Sequence, residues 1–467
     1  FGRRAESLPE DQLLLGLEEA EQVEAAGFAD EEDEPAKQEA RRAKRRTNRG
    51  ALPTHLPRVE RVVDVDSLAC PCCSGALHRI GEDVSERLDV VPVQFRVLVI
   101  RRPRYACRAC GDAIVQAPAP ARLIEGGLPT DALVAQVLVS KYADHLPLYR
   151  QAQIFARQGI SLDRSTLADW VGRAAFLLRP VHERLLETLK RSGKLFADET
   201  TAPVLDPGRG RTKIGQLWAY ARDDRPWGGT DPPGVAYVYA PDRTAGRAIA
   251  HLSGFAGVLQ VDGYAAYESL ARGGAVRLAY CWAHVRRQFY DLAAASPIAT
   301  EALSRIAVLY RIETEIRGRS AEERRAARQE RSRPVVEALE TWLREKLGLL
   351  SRKSNLAEAI RYALSRWAGL SLFLDDGRVE IDSNTVERAI RPLALSRKNA
   401  LFAGSDGGGE HWAVIASLVE TCKLVGVEPQ AYLADVITRI VEGHRQRHLD
   451  DLLPWAYQPT PALKAVA

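Results

Sequence analysis

Between residues 193 and 295 the chain alternates in a way that few architectures accommodate. "KLFADETTAPV", "GQLWAYARDD" and "GVAYVYAPDR" read as three strands in succession. They are followed by a helical "TAGRAIAHLSGF", a strand "GVLQVDGY", a helix "AAYESLARG", a strand "AVRLAYCW" and a helix from Ala283. Strands joined by short connections pair as antiparallel hairpins, whereas strands separated by helices pair in parallel through crossovers. The pattern predicts an α/β domain built on one mixed sheet.

That order of elements is the ribonuclease-H-like one. Within it Asp198 lies on the first strand, and Asp262 ends the fourth. Ligands of open α/β sheets gather at the carboxyl ends of strands, so neighbouring strands would bring both carboxylates to one place. Asp262 also has a purely local explanation, since Asp-Gly is a common turn dipeptide. An aspartate inside a strand-like run, as at Asp198, has no such local reason. A third acid lies downstream in "IDSNTVERAIRPLALSRKNALFAGSDGGG". Asn384 can cap a helix with Glu387 at the third position, and Glu387 with Arg391 makes a favourable i to i+4 pair. Against this structural role stands the company of Arg388, Arg391, Arg397, Lys398 and Asn399, a surplus of phosphate-binding groups for a helix cap.

Seven cysteines in 467 residues are too few for a disulfide framework, and four of them form two C-x2-C pairs, "CPCC" and "CRAC". Cys70, Cys73, Cys107 and Cys110 would give four thiolates for a structural, tetrahedral Zn2+ site, with Cys72 spare. The 33 residues between the pairs exceed the usual ribbon spacing, and the competing reading is four ordinary buried cysteines. Val93, Phe95, Val97 and Val99 alternate with Gln94, Arg96, Leu98 and Ile100 at strand period, which predicts a small β unit with cysteines at its turns. Next, in "LPLYRQAQIFARQGISLDRSTLADWVGRAA", Pro147 suits a first helical position, Gly159 breaks the apolar face, and Ser165 can cap a second helix carrying Leu167, Trp170 and Val171. Two short helices about a glycine turn fit a helix-turn-helix, and equally a hairpin of ordinary all-α packing. In the helix-turn-helix reading Arg164, Ser165 and Thr166 are the residues that meet DNA.

Charged residues make up 27% of the chain while the net charge is only +4. Any preference for nucleic acid must therefore come from clustering. Residues 1 to 35 are acidic, whereas "KQEARRAKRRTNR" at 37 to 49 holds seven basic residues and one acid. The acidic block reads as a disordered tail and the basic run as a DNA-backbone contact. No apolar stretch of about 18 residues and no secretory signal is present, so the chain reads as soluble and cytoplasmic, associated with DNA. It opens at Phe1 and contains no methionine, so residues ahead of Phe1 are expected.

Between Asp262 and Glu387 lie 124 residues of mostly helical pattern. Leu339, Trp342, Leu343 and Leu350 mark one apolar face; Leu356, Ile360, Leu364 and Trp367 mark another. The stretch "RGRSAEERRAARQERSR", 317 to 333, reads as a solvated helical face, with a DNA contact as the alternative. "CWAH" places Cys281 and His284 in a C-x2-H pair that lacks a second pair for zinc and reads as buried structural residues. Cys422 sits on an apolar helical face and reads as core.

"FADET", "VDGYAAY", "CWAHVRRQF", "DSNTVERAIRPLALSRKNALFAGSDGGGEHWA" and the closing "LDDLLPWAY" together resemble the insertion sequence 66 family of DDE transposases, from about residue 50 to the end. That family also carries zinc-binding and helix-turn-helix segments where the cysteine pairs and the "LPLYRQAQIFARQGISLDRSTLADWV" block stand. The resemblance implies that Asp198, Asp262 and Glu387 are the catalytic acids and that His284 lies near them and contacts DNA. It implies transposon ends and target DNA as partners, and action as a homodimer or higher assembly, with accessory proteins of the same element.

Three acids suit this chemistry because DNA cleavage needs an activated water, in-line attack and a stabilised leaving oxygen, which two Mg2+ ions, or Mn2+ in their place, supply. Mg2+ takes oxygen ligands and keeps several waters, so few carboxylates suffice. Asp198 is the favoured bridge between the two ions. The expected organisation is a tail at 1–50, a zinc-binding β module at 51–120 and a helix-turn-helix region at 121–190. The ribonuclease-H-like core follows at 191–295, an all-α insertion at 296–375, the Glu387 helix with C-terminal helices at 376–445, and a tail at 446–467. The alternatives are a sequence-specific DNA-binding regulator with an inert catalytic fold, and a nuclease without strand transfer.

Overall fold

The computed structural model describes residues 95, 97–106, 114–125, 127–206 and 209–458. The chain divides into two units, Glu18–Ala119 and a larger one that includes Pro120–Ala467. In the smaller unit, β1 (Arg104–Ala106) and β2 (Ile114–Gln116) pair antiparallel, Arg104 opposite Gln116 and Ala106 opposite Ile114. Arg102 and Gln116 extend the pairing, Arg102 Nε donating to the Ala117 carbonyl at 2.9 Å and Gln116 Nε2 to the Arg102 carbonyl at 2.8 Å. The strand expected at 93–100 is not formed at the described residues of that span. Residues 97–100 lie outside any strand, and Val97 and Val99 are exposed at 88% and 68%. An alternating pattern makes a strand only where a partner meets its hydrogen-bonding groups, and the recorded pairing falls at 104–106 instead. Cys70, Cys73, Cys107 and Cys110 lie outside the described residues, as does the tail at 1–50; in sequence, Cys107 and Cys110 stand in the connection from β1 to β2.

The larger unit begins with α1 (Asp131–Tyr142), α2 (Leu148–Arg157) and α3 (Arg164–Lys190). Pro147 occupies the cap position before α2, and Gly159 takes the left-handed conformation, φ +77°, that turns the chain. Leu167, Trp170 and Val171 are buried, as their spacing predicts. Three details of the hairpin differ from expectation, the first being that Pro147 precedes the first helical position instead of filling it. Asp163 occupies the N-cap, which makes Ser165 the second helical residue. The second helix is also 27 residues long, because its apolar face continues through Leu178, Val181, Leu185 and Leu189 to the edge of the sheet.

The sheet follows as β3 (Lys194–Asp206), β4 (Arg211–Arg222), β5 (Gly234–Ala240), α4 (Ala245–His251), β6 (Gly257–Val261), β7 (Val276–Tyr280) and α5 (Trp282–Ala293). Its spatial order is β5-β4-β3-β6-β7. The first three strands pair antiparallel, while β3 with β6 and β6 with β7 pair parallel, the mixed arrangement that the sequence predicts. Long stretches of β3 and β4 are buried on both faces, which requires helices on both sides.

From 297 to 375 the elements are helical: α6 (Pro297–Ile316), α7 (Ala321–Ala327), α8 (Arg333–Leu349) and α9 (Asn355–Ser365), then two short turns to Asp375. Trp342, Leu343, Ile360 and Trp367 close a core with Trp282 and Phe289 of α5. The expectation that 317–333 is a solvated face is corrected here. Arg324 and Arg328 are 1% and 0% exposed and grip Glu313 and Glu380, Arg328 Nη2 to Glu313 at 2.6 Å and Arg324 Nη1 to Glu380 at 2.8 Å. Burial of a guanidinium demands such partners.

The chain closes with α10 (Asn384–Ala400), α11 (Asp406–Val425) and α12 (Pro429–Val441). Helix α11 covers β5, and its side chains complete the edge of that strand. Val235 N–H donates to Thr421 Oγ1 at 3.1 Å, and Tyr237 N–H to Ser417 Oγ at 2.7 Å. Leu452 and Leu453, beyond α12, are buried, and Cys422 is fully buried, as read. Among the described residues no helix is long and apolar enough to cross a membrane.

Candidate active site

Register places the first two acids. Lys194, Leu195 and Phe196 of β3 lie opposite Val258, Leu259 and Gln260 of β6. Two residues beyond the last of these pairs come Asp198 and Asp262, near enough for the Asp262 charge to act on the Asp198 carboxyl. Asp262 makes the turn expected of an Asp-Gly step. Its Oδ1 accepts from Tyr264 N–H at 2.9 Å, an Asx turn, and Gly263 has φ +109°. The turn holds the carboxylate at the strand end. From outside, Tyr362 Oη donates to the Asp262 carbonyl at 2.9 Å and Arg366 Nη2 to the Gly263 carbonyl at 3.2 Å. A Cβ on residue 263 would meet Arg366 Nε at 2.6 Å, so the helical segment seats directly on a glycine.

Glu387 arrives on α10. Arg397 donates to the Thr201 carbonyl at 2.7 Å and to its hydroxyl, and Ala403 N–H to the Pro203 carbonyl at 2.8 Å, so both the end of α10 and the chain beyond it are fixed to β3. The capping box expected of Asn384 and Glu387 is absent. Ser383 occupies the N-cap position, and Asn384 Nδ2 turns back to Asp382 at 2.9 Å. Moving the helix start by one residue places Glu387 one position past the capping reach, with its carboxylate available to the site. Its Oε1 instead accepts from Ser383 Oγ at 2.8 Å and lies 3.9 Å from His284 Nδ1. Ser383 N–H donates to Cys281 Sγ at 3.2 Å. Cys281, His284 and Glu387 have ligand atoms within 4.8 Å of one another.

Electrostatics reflect this convergence. Burial pushes the Asp198 carboxyl well above the ordinary carboxylate range, and the charges of Asp262, Glu199 and Glu387 push it further, with His284 opposing. Glu199, next to Asp198 and without a sequence signal of its own, is also raised, by burial and then by Asp262. It is held by Arg243 and by Tyr267 Oη at 2.8 Å, and the Arg243 guanidinium stacks on Tyr264 at 3.9 Å. Asp382 is raised to about 6, by burial first and then by Glu380. The acid in "FADET" and the tyrosines in "VDGYAAY" sit inside the quoted motifs, yet pairing between them requires β3 and β6 to be adjacent.

The basic candidates divide. Arg388 and Lys398 on α10 are exposed, and Arg391 and Asn399 are half-buried. Arg397 is engaged by β3. Arg164 and Ser165 are exposed at the start of α3, with Thr166 half-buried. They share the larger unit with the acids, and the loop before α2 touches α10 directly, His145 Nδ1 lying 2.7 Å from Ser396 Oγ.

Residues 126–411 match the family described as "Transposase IS66 family". The chain belongs to the IS66 transposase family. Residues 67–111, which hold all four paired cysteines, match the zinc-finger binding domain of transposase IS66. Residues 417–455 match the IS66 C-terminal element, and residues 1–61 the "Transposase C of IS166 homeodomain". Two Sinorhizobium fredii proteins, the uncharacterized y4jD and y4qI, are each 50% identical to this IS66-family chain. The first match spans 96% of the chain and 89% of y4jD; the second spans 88% and 78%. A third, y4hP, is 40% identical over 97% of the chain and 85% of its own length.

Proposed function

We propose that this IS66-family chain is a DNA transposase that cuts DNA at transposon ends and joins the freed 3′ hydroxyl to target DNA, using Asp198, Asp262 and Glu387 as its acid triad. The observation that carries the reading is the convergence of three acids, distant in sequence, on the end of the β3/β6 pair. In this reading the sheet is the ribonuclease-H-like core and the helices from 296 to 375 are its insertion.

The donor set fits a pair of hard divalent ions. It is all oxygen, and Asp198 is held high by burial first and then by neighbouring carboxylates, whose repulsion Mg2+ or Mn2+ would relieve. Such ions, when bound, supply Lewis-acid stabilisation of the attacking and leaving oxygens. Asp198, Asp262 and Glu387 would hold the ions, Asp198 being the acid that both of the others act on. The Asx turn at Asp262 and the Ser383 hydrogen bond to Glu387 keep those carboxylates in place before DNA arrives, which lowers the reorganisation needed for reaction. His284, beside Glu387, and Arg388, Arg391 and Lys398 of α10, spaced by about one and two helical turns, hold phosphates, and Asn399 adds a neutral donor. Arg397 acts by fixing α10 to β3. Arg164, Ser165 and Thr166 present the N-terminal turn of α3 to a DNA groove. The cysteine pairs hold a structural Zn2+.

The test is incubation of the full chain with labelled transposon-end DNA and Mg2+, comparing wild type with Asp262→Ala. Cleavage is expected from wild type alone. Equal cleavage by both would remove Asp262 from the triad, and binding without cleavage under every divalent condition would favour a DNA-binding regulator. Cleavage without strand transfer would favour a simple nuclease.

A further inference from the structure

The geometry points to a second, softer metal site beside the proposed triad, made by Cys281, His284 and Glu387, at which Zn2+ takes Glu387 out of the catalytic centre and inhibits the enzyme. Cys281 precedes α5 and His284 lies in its first turn, so a C-x2-H spacing at a helix start turns both side chains to one side. Glu387 meets them from α10. Ligand atoms around one Zn2+ stand about 3 to 4 Å apart, and these three already lie within 4.8 Å of one another. Closure onto an ion asks for roughly an ångström.

Two further observations favour a ligand here. His284 Nδ1 is buried and lacks a hydrogen-bond partner among the described residues, although it faces Glu387. Cys281 Sγ accepts the Ser383 N–H, a contact that stabilises a thiolate once formed. Sulfur and imidazole nitrogen select Zn2+ over Mg2+, whereas Asp198 and Asp262 offer only oxygen. Binding releases the thiol proton to solvent, with neutral imidazole and carboxylate as the other ligands and no change in oxidation state. Three protein ligands leave the fourth position to water, so the site is exchangeable rather than structural. The inhibitory consequence rests on the reading of Glu387 as a catalytic ligand; metal binding itself does not.

The experiment titrates Co2+ into the full-length protein without Mg2+ or DNA, for wild type, Cys281→Ala and His284→Gln, after circular dichroism and thermal melting establish that each variant is folded. The zinc-finger cysteines contribute equally to all three, so the difference spectrum isolates Cys281. The expected result is a thiolate-to-cobalt absorption in wild type that Zn2+ displaces, absent from the Cys281→Ala difference and reached in His284→Gln only at Co2+ concentrations on the order of 100-fold higher. A flat difference spectrum for a folded Cys281→Ala overturns the site. Zn2+ is then added to Mg2+-supported cleavage by wild type. Inhibition over the range in which it displaces Co2+ supports the regulatory role, and cleavage indifferent to Zn2+ overturns it. A cobalt signal with no cleavage under any condition leaves the soft site standing and removes the transposase reading.

Discussion

At the scale of single residues, the site is a set of carboxylates held closer than their charges favour. Asp198 shows this most clearly, since burial and three neighbouring acids all raise its proton affinity. A carboxyl whose folded pKa is raised stabilises the fold below its unfolded pKa relative to higher pH. That contribution is lost as pH rises, and at neutral pH the raised carboxyl is a net cost to the folded state. Asp198→Asn removes the charge and keeps the shape. In chelator at pH 7.5 its Tm is expected to lie about 2 °C or more above wild type, while DNA cleavage is lost. Added Mg2+ raises the wild-type Tm and leaves the variant nearly unmoved. A melting point at or below wild type in chelator would show that the acids do not repel one another. Much of this site was legible beforehand because its signals are local: Asp198 interrupts a strand pattern, and Asp262 joins a strand end to a turn. Glu387 was legible only through its basic neighbours and motif. Its capping role was misread because a one-residue difference in helix start, Ser383 or Asn384, lies within the blur of any boundary drawn from pattern.

Elements supply what the residues cannot. Helix α9 reaches back to the turn after β6, where Tyr362 and Arg366 hold the two carbonyls at Asp262 and Gly263. Tyr362→Phe keeps the ring under the Arg366 guanidinium, 4.0 Å away, and deletes one hydrogen bond. Stability should fall by only about 1 kcal/mol, but the Mg2+ concentration for half-maximal cleavage should rise several-fold. An unchanged metal requirement would show that the turn holds Asp262 without help from α9. On the far edge, His182 of α3 lies 2.8 Å from the Tyr237 carbonyl of β5, and burial lowers its pKa to about 4. Above the ordinary 6.5 both folded and unfolded chains carry it neutral. Between 6.5 and 4 the unfolded chain takes up a proton that the folded one refuses, so stability falls as pH drops through that window. At pH 5 the loss from His182 is about 2 kcal/mol. Urea unfolding at pH 7 and pH 5 should therefore show a smaller acid loss in His182→Gln than in wild type. The closing of β5 by Thr421, Ser417 and His182 had no sequence signal, because each polar group sits on a helix face whose partner strand is far along the chain.

Across the whole molecule, the helices between Asp262 and Glu387 must return the chain to the sheet with its third acid correctly placed, and a buried ion network ties that return. Arg324 and Arg328 hold Glu313 and Glu380. Glu380 N–H then donates to Gln260 Oε1 at 2.9 Å, and Gln260 Nε2 to the Glu380 carbonyl at 3.0 Å, two residues before Asp262 on β6. Trp282 N–H to the Ile381 carbonyl at 3.0 Å fixes the same segment to the start of α5. The sequence showed only a charged helical stretch there, since helix faces rich in arginine are usually solvated and both acidic partners lie elsewhere. Glu313→Ala leaves two buried guanidinium groups short of a partner, and truncating one member of such a pair costs about 3–5 kcal/mol. Urea unfolding should record a loss of that order. Adding Arg324→Met and Arg328→Met to Glu313→Ala should recover most of it, because the uncompensated charges leave with the arginines. A loss below about 1 kcal/mol for Glu313→Ala would place the network in effectively solvated surroundings. Recovery of stability without recovery of cleavage would show that the network also aligns the segment leading to Glu387, beyond holding the helices to the sheet.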